Sequence, residues 1–248
     1  MISSTRFGWS VLAVIAVLSL GPSVSSAGTP TFEGLAGWEG DGWSQGYGFV
    51  GAGALQPIGP GLTLVTRVSA SYLSYAFESE GVTTSVRSPG LSAMTGLRRG
   101  LAGGTIAVLG GYETRWEERR IGEGRGATGV TGGGVLQADA DVGLGRRWRG
   151  FLFGNYAQAG RYLFSRTALR WQATNREWVD PVAFFLGIEG IRQGNDDSAA
   201  LQAGPFVEWS VVPIRISVTL RGGYKDRWSP NGPHHRGAYG GVGLYHRF

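Results

Sequence analysis

The stretch Ile214–Tyr224, IRISVTLRGGY, decides the fold. Ile214, Ile216, Val218, Leu220 and Tyr224 alternate with Arg215, Ser217, Thr219, Arg221 and Lys225, so one face is apolar and the other polar and cationic. Successive side chains of a strand point to opposite sides, and alternation of this length is the mark of a strand with two different environments. The same phase recurs as Leu62, Leu64, Val68 and Tyr72 against Thr63, Arg67, Ser69 and Ser71. It recurs again as Leu136, Ala138, Ala140, Val142 and Leu144 against Gln137, Asp139 and Asp141. Runs of 8 to 11 residues match a tilted membrane crossing, which takes ~9–11 residues.

Composition points the same way. The 248 residues include 44 Gly, 9 Trp, 9 Tyr and 11 Phe, with 42% hydrophobic residues. Many aromatics and glycines at a mean hydropathy near zero suit a β protein, and they exclude a bundle of membrane helices or a disordered chain. No cysteine is present, so disulfides and thiol or Cys–zinc chemistry are excluded. The net charge of +5 is scattered rather than gathered in a basic stripe, and no nucleic-acid-binding motif accompanies it, so no nucleic-acid partner is expected.

At the N-terminus, Arg6 precedes the apolar run Val11–Leu20, followed by GPSVSSAG with small residues at Ser25 and Ala27. This is the layout of a secretory signal peptide, and the run is too short to span a bilayer. The expected organisation is a cleaved signal over residues 1–27 and one β-barrel domain over residues 28–248.

Counting from Thr31 predicts strands at 31–40, 45–56, 61–77, 88–99, 103–117, 129–145, 148–158, 161–173, 181–192, 199–210, 213–227 and 236–248. Merging 148–158 with 161–173 would give an odd number instead. Between them, short turns such as QPIGPG (56–61) alternate with a second class of connection such as ESEGVTTSVRS and EERRIGEGRGATG, the layout of up-and-down antiparallel strands. An even count brings both ends of the sheet to one side, as in single-chain bacterial barrels. Pro205 would cost a ladder bond inside a paired strand, and a β-bulge is expected there.

Large aromatics fall near predicted strand ends: Trp38, Trp43, Tyr72, Tyr75, Trp116, Trp148, Trp171, Trp178, Trp209, Tyr224, Trp228 and Phe248. A soluble sandwich would hold them mid-strand in its core, whereas a membrane barrel gathers them in two interfacial girdles. The last strand, GGVGLYHRF, ends on Phe248, and Val242, Leu244 and Phe248 share one phase. They are the expected closing face of the sheet and the signal for the barrel-assembly machinery, with His246 as the polar departure. The expected fold is an all-β, closed, up-and-down antiparallel transmembrane β-barrel of about 12 strands in the bacterial outer membrane, against outer-membrane lipid.

If the apolar face meets lipid, the other lines a lumen. Its expected lining is Arg67, Glu113, Arg115, Asp139, Asp141, Arg166, Arg170, Glu189, Glu208, Arg215, Arg221 and Lys225. Charges survive inside only when paired, so ion pairs across the barrel and some water are expected. Twelve strands lie between small barrels filled by their own side chains and wide porins.

Catalysis has little to stand on. His234 and His235 occupy a loop with Ser229 as the nearby hydroxyl, and nothing visible orients a base. Asn195–Asp197 could join these histidines around a divalent cation, but turn chemistry explains Asn and Asp there equally well. The glycine runs GEGRGATGVTGGG and GYGFVGAG open no helix, as a phosphate-binding fingerprint would require. No catalytic residue, cofactor or metal ligand is therefore assigned.

The segments LGIEGIRQGNDDSAALQAGPFVEW (186–209) and GWEGDGWSQGYGFVGAGAL (37–55) resemble the BcsS family of cellulose-biosynthesis proteins. The resemblance implies an exported β-rich protein acting in cellulose production or export, with cellulose or components of the cellulose synthase complex as partners. It carries no catalytic residues. Aromatic faces grip glycans, and Trp43, Tyr47, Trp228 and Tyr239 near the outer loops are candidates, with anchoring at the membrane interface the favoured use of each. The expectation is a non-enzymatic accessory barrel. The alternatives are a small-solute porin, which needs an open lumen, and a lipid-modifying enzyme, which needs a rim His bonded to a Ser.

Overall fold

A computed structural model describes residues 28–248 apart from 42–44, 80, 123, 125, 175–181 and 230–233, so residues 1–27, where a signal peptide is expected, and Trp43 and Trp178 lie outside the described residues. The period-two segments form twelve strands: β1 (Thr31–Asp41), β2 (Gly46–Gly59), β3 (Leu62–Ser79), β4 (Val82–Leu101), β5 (Gly104–Ile121) and β6 (Thr128–Gly143), then β7 (Trp148–Ala157), β8 (Tyr162–Gln172), β9 (Val182–Gly194), β10 (Ala199–Val211), β11 (Ile216–Trp228) and β12 (His235–Arg247). Each pairs antiparallel with its sequence neighbours, and β1 pairs with β12 to close the barrel. β7 and β8 are separate strands, joined through a 3-10 turn at Gln158–Gly160, so the count stays even.

Closure runs along a glycine-rich seam. Leu35 lies opposite Tyr245, Gly37 opposite Gly243 and Gly40 opposite Gly240. Past the end of β12, the Phe248 N–H donates to the Phe32 carbonyl at 2.8 Å, and its ring packs on His246. Val242 and Leu244 face outward from the same strand.

The outer surface is the apolar one. Ile188 is 65% exposed, and Leu91, Val108, Leu136, Leu152, Leu201 and Leu220 stand out from their strands in the same way. Water would penalise a continuous apolar belt far larger than the patches tolerated on soluble proteins, whereas lipid does not. Trp148 and Trp171 are register partners at one rim, with Phe184 and Trp209 packed together nearby. Trp38, Trp116, Tyr156 and Tyr224 stand out from the wall toward the other end. Tyr75 departs from the girdle expectation: it points inward and is buried.

The second class of connection is shorter than expected. The segment around residues 82–88 was expected as a loop, but it alternates Thr84, Val86 and Ser88 inward and continues β4, paired with β3 up to Ser79–Val82. Gly81, at φ +75, supplies the left-handed turn residue that an L side chain would resist. Likewise Glu117–Ile121 prolongs β5. Strands β3 to β6 therefore rise beyond their neighbours as a wall at the end away from the termini.

Pro205 makes no bulge. Its pairing with Ile188 of β9 is continuous, while the ladder to β11 skips Gly204 and Pro205 and resumes in unchanged register at Phe206–Arg221. Proline lacks the donor, and the glycines opposite let the backbones draw together instead. A Cβ on Gly223 would sit 2.2 Å from the Ala203 carbonyl oxygen.

Candidate functional site

Strand alternation delivers eleven of the twelve expected lining residues to the lumen, and they gather in layers. Arg215 is the exception. It sits in the turn between β10 and β11 at φ 52, exposed, because the chain reverses at Val212–Arg215 and the alternation seen in the sequence runs straight through that turn.

Nearest the termini, Glu33 of β1 is fully buried and accepts from Arg67 of β3 at 2.5 Å, Arg98 of β4 at 3.5 Å and the Tyr245 hydroxyl of β12 at 3.2 Å. On the opposite wall, Asp141 of β6 takes Arg149 at 2.9 Å and Arg170 at 2.5 Å, and Arg170 reaches on to Glu208 of β10 at 2.7 Å. Asp139 accepts from Gln137 beside it at 3.3 Å. At the next level Glu189 of β9 binds Arg166 at 2.7 Å and the Tyr239 hydroxyl of β12 at 3.1 Å, with Arg221 at 4.0 Å. Arg115 is held by Glu113 at 2.6 Å and by the Ser88 carbonyl. Lys225 is buried against Asp41 at 2.9 Å. Such charges persist because the buried ones have opposite partners, although among the described residues the Nε atoms of Arg67, Arg170 and Arg221 are buried without a hydrogen-bond partner.

The lumen holds more apolar side chains than the alternation suggests. Phe151 and Phe206 flank the Arg166 guanidinium, each at 5.4 Å, and Phe185 lies 5.0 Å from that of Arg170. Leu55, Val65, Met94, Leu109 and Val135 form one inward cluster along β2 to β6. Toward the far end, Leu73, Tyr75, Val86 and Tyr162 form a second, with Tyr47, Phe77 and Phe164 packed on it. Tyr47 of β2 stacks on Tyr162 and Phe164 of β8, so rings from two walls meet inside the barrel.

Polar bonds across the lumen seal this level. Gln202 of β10 and Gln193 of β9 both donate to the Glu39 carboxylate of β1, at 2.7 and 3.3 Å, and Tyr162 donates to Gln193 at 2.6 Å. Glu39, Gln193 and Gln202 are all buried. Above them the β9–β10 turn reaches to the wall: Asp197 accepts from Tyr75 at 3.0 Å and Arg119 at 2.9 Å, and Asn195 donates to Tyr75. Inward groups from β1, β2, β8, β9 and β10 meet at this level, with Tyr162, Glu39, Gln193 and Gln202 buried and Tyr47 and Phe164 partly buried.

Below the seal the lumen is wetter. Phe49 points inward opposite Gly37, yet it is 37% exposed. Water therefore reaches its height, and the side chains of Arg149, Asp141, Arg98 and Arg170 are also partly solvated. Among the described residues the Tyr47–Tyr162–Phe164 rings and the Glu39–Gln193–Gln202 bonds stand across the lumen above this solvated vestibule.

Several residues were missed by sequence reasoning. Glu33, Glu39 and Asp41 share the odd phase of TFEGLAGWEGD and could have been found by it. Tyr47 and Tyr239, read as glycan contacts, are inward, Tyr239 buried on Glu189, while Trp228 stacks with His234. His234 lies 3.3 Å from Asp226. Asp196 is taken by Arg161 and Asp197 by Arg119, while Asn195 accepts the backbone N–H groups of Asp197 and Ser198, which is turn chemistry.

A family model described as cellulose biosynthesis protein BcsS matches residues 30–248. The chain belongs to the BcsS family. This membership ties the barrel to cellulose biosynthesis. Nothing among curated proteins matches the chain. Among solved structures, it is similar to the translocator domain of autotransporter NalP from Neisseria meningitidis at 15% identity and TM-score 0.48, covering 96% of this chain and 94% of that one. It is similar to the β domain of the Bordetella autotransporter BrkA at 11% identity and TM-score 0.47, over 89% and 99%. A bacterial polysaccharide outer-membrane secretin follows at 7% identity and TM-score 0.36, over 88% and 98%.

Proposed function

We propose that this BcsS-family chain is a non-enzymatic accessory barrel of cellulose biosynthesis, exported by a cleaved signal peptide, placed in the outer membrane with both termini toward the periplasm, and not itself the cellulose conduit. The filled lumen carries this reading. A glucan strand is several ångströms across, and the Tyr47–Tyr162–Phe164 layer with the Glu39–Gln193–Gln202 bonds stands across its path, which supports this reading. A porin would need the same level open, and a His–Ser hydrolase would need a serine hydroxyl on its base, whereas the contacts of His234 among the described residues are Asp226 and the Trp228 ring.

The solvated vestibule faces the compartment in which the synthase delivers polymer, so components of that complex are the partners this geometry favours. Val242, Leu244 and Phe248 would be read by the barrel-assembly machinery during insertion. The test is a chromosomal deletion, complemented with the wild-type chain, scored for cellulose outside the cell and retained in the periplasm. An accessory role predicts reduced or altered extracellular cellulose with no periplasmic build-up. Complete loss outside, with polymer accumulating in the periplasm, would make the barrel the conduit and overturn the proposal.

A further inference from the structure

Along the closing seam the inner wall of the barrel is bare backbone. Gly37 of β1 and Gly243 of β12 are register partners, and both lie in the inward phase, the first with Glu39 and the second with Tyr245. A side chain from each flanking strand lies on this floor. The Phe49 ring of β2 covers Gly37 so closely that a Cβ there would fall 2.6 Å from it. From β11 the Arg221 side chain runs over Gly241 and ends above Gly243, where a Cβ would stand 3.2 Å from Nη2. Residues opposite each other in an antiparallel pair are about 5 Å apart, so the ring and the guanidinium stand side by side.

The fold leaves both of them with unused capacity. Phe49 is 37% exposed although it points into the lumen, so its ring meets the water of the vestibule. Arg67, Arg166 and Arg170 close their ion pairs at 2.5–2.7 Å, whereas Arg221 has only a Glu189 oxygen 4.0 Å away, one that already accepts from the Tyr239 hydroxyl. The Arg221 Nε is buried without a hydrogen-bond partner. A desolvated donor left unpaired costs free energy that a bound acceptor would recover. An open ring beside open donors on a glycine floor is the lining of a small polar-apolar subsite.

We infer that Phe49 and Arg221 hold the end of a neutral glucan strand that enters the vestibule from the periplasmic side. The apolar face of a sugar ring lies on Phe49, and its hydroxyl oxygens accept from the Arg221 fork. The Glu189 carboxylate beside Arg221 favours a neutral ligand over an anion. The inference takes its ligand from the accessory reading, in which the vestibule faces the polymer delivered to the periplasm.

The test is calorimetric titration of the purified, folded barrel, in a detergent without a sugar headgroup, with cellohexaose and separately with sodium glucuronate. Saturable binding of cellohexaose is expected. Arg221→Gln should weaken it by ~10-fold or more, the loss of hydrogen bonds from a charged donor, and Phe49→Ala by at least ~3-fold. Arg120→Gln, at the far end of the barrel and paired with Glu118, should leave it unchanged. If Arg221→Gln fails the heat-modifiable gel shift, Arg221→Lys takes its place, keeping the charge beside Glu189 but losing the planar fork. No saturable binding, equal binding in the Phe49 and Arg221 variants, or an equal loss in Arg120→Gln would each overturn the inference. Displacement of cellohexaose by glucuronate at similar concentration would overturn it in favour of an anion. The two readings fail separately: a barrel that binds no cellohexaose, with the deletion phenotype as expected, loses this site alone, whereas periplasmic polymer in the deletion strain with cellohexaose still bound removes the accessory role alone.

Discussion

Replacing Glu33 by alanine probes the ion pairs nearest the termini at their most buried charge. The carboxylate is 1% exposed and holds Arg67, Arg98 and Tyr245 together. Its removal strands the Arg67 guanidinium, itself 8% exposed, without its carboxylate partner. Breaking a buried pair from one side costs about 3–5 kcal/mol, because the remaining charge stays desolvated. With a denaturant slope of ~3 kcal/mol/M, the urea midpoint should fall by roughly 1–2 M without a change in slope. The reciprocal Arg67→Ala should cost less, about 1–3 kcal/mol, because Glu33 keeps Arg98 and Tyr245 as hydrogen-bonding partners. Urea unfolding in detergent micelles, followed by tryptophan fluorescence, reads both. Two equal losses below ~1 kcal/mol, the size of exposed ion pairs, would mean that Glu33 and Arg67 are solvated and the buried-pair argument wrong.

Two further outcomes follow from other parts of the barrel. Ile188→Arg, on the lipid face in the middle of β9, should destabilise the barrel in lipid vesicles by ~2–4 kcal/mol, whereas little change would mean that this face does not meet hydrocarbon. Gly223→Val places a side chain where a Cβ would already sit 2.2 Å from the Ala203 carbonyl; the folded band in a heat-modifiability gel should be lost, and normal folding would show that the β10–β11 approach beside Pro205 is not close.

The alternation of IRISVTLRGGY and its relatives reads correctly because lipid and lumen impose opposite polarity on the two faces of a strand. Where that contrast fails, sequence reading fails with it. In FLFGNY, Phe151 and Phe153 point inward and Leu152 outward, so both sides are apolar and no alternation marks the lumen. Val65, Leu73 and Tyr75 are inward for the same reason, within a strand whose outer face is also apolar. Arg215 was misplaced because periodicity carries no signal of where the chain turns. The bonds from Gln193 and Gln202 to Glu39 join residues more than 150 positions apart, and no local pattern encodes which walls of a closed sheet face each other. Burial of Glu39 and Glu33 was legible in phase, since both stand opposite outward Trp38 and Phe32 in β1, but their partners were not.

The central claim is that the lumen is sealed by its own side chains, and single-channel conductance tests it most directly. Protein purified from membranes, with a heat-modifiable gel shift as proof of folding, is inserted into a planar bilayer at neutral pH. The account predicts insertion without stable conductance steps. Reproducible ion-conducting steps from the folded wild-type chain would contradict it, showing that the Tyr47–Tyr162–Phe164 layer and the Glu39 bonds do not close the barrel.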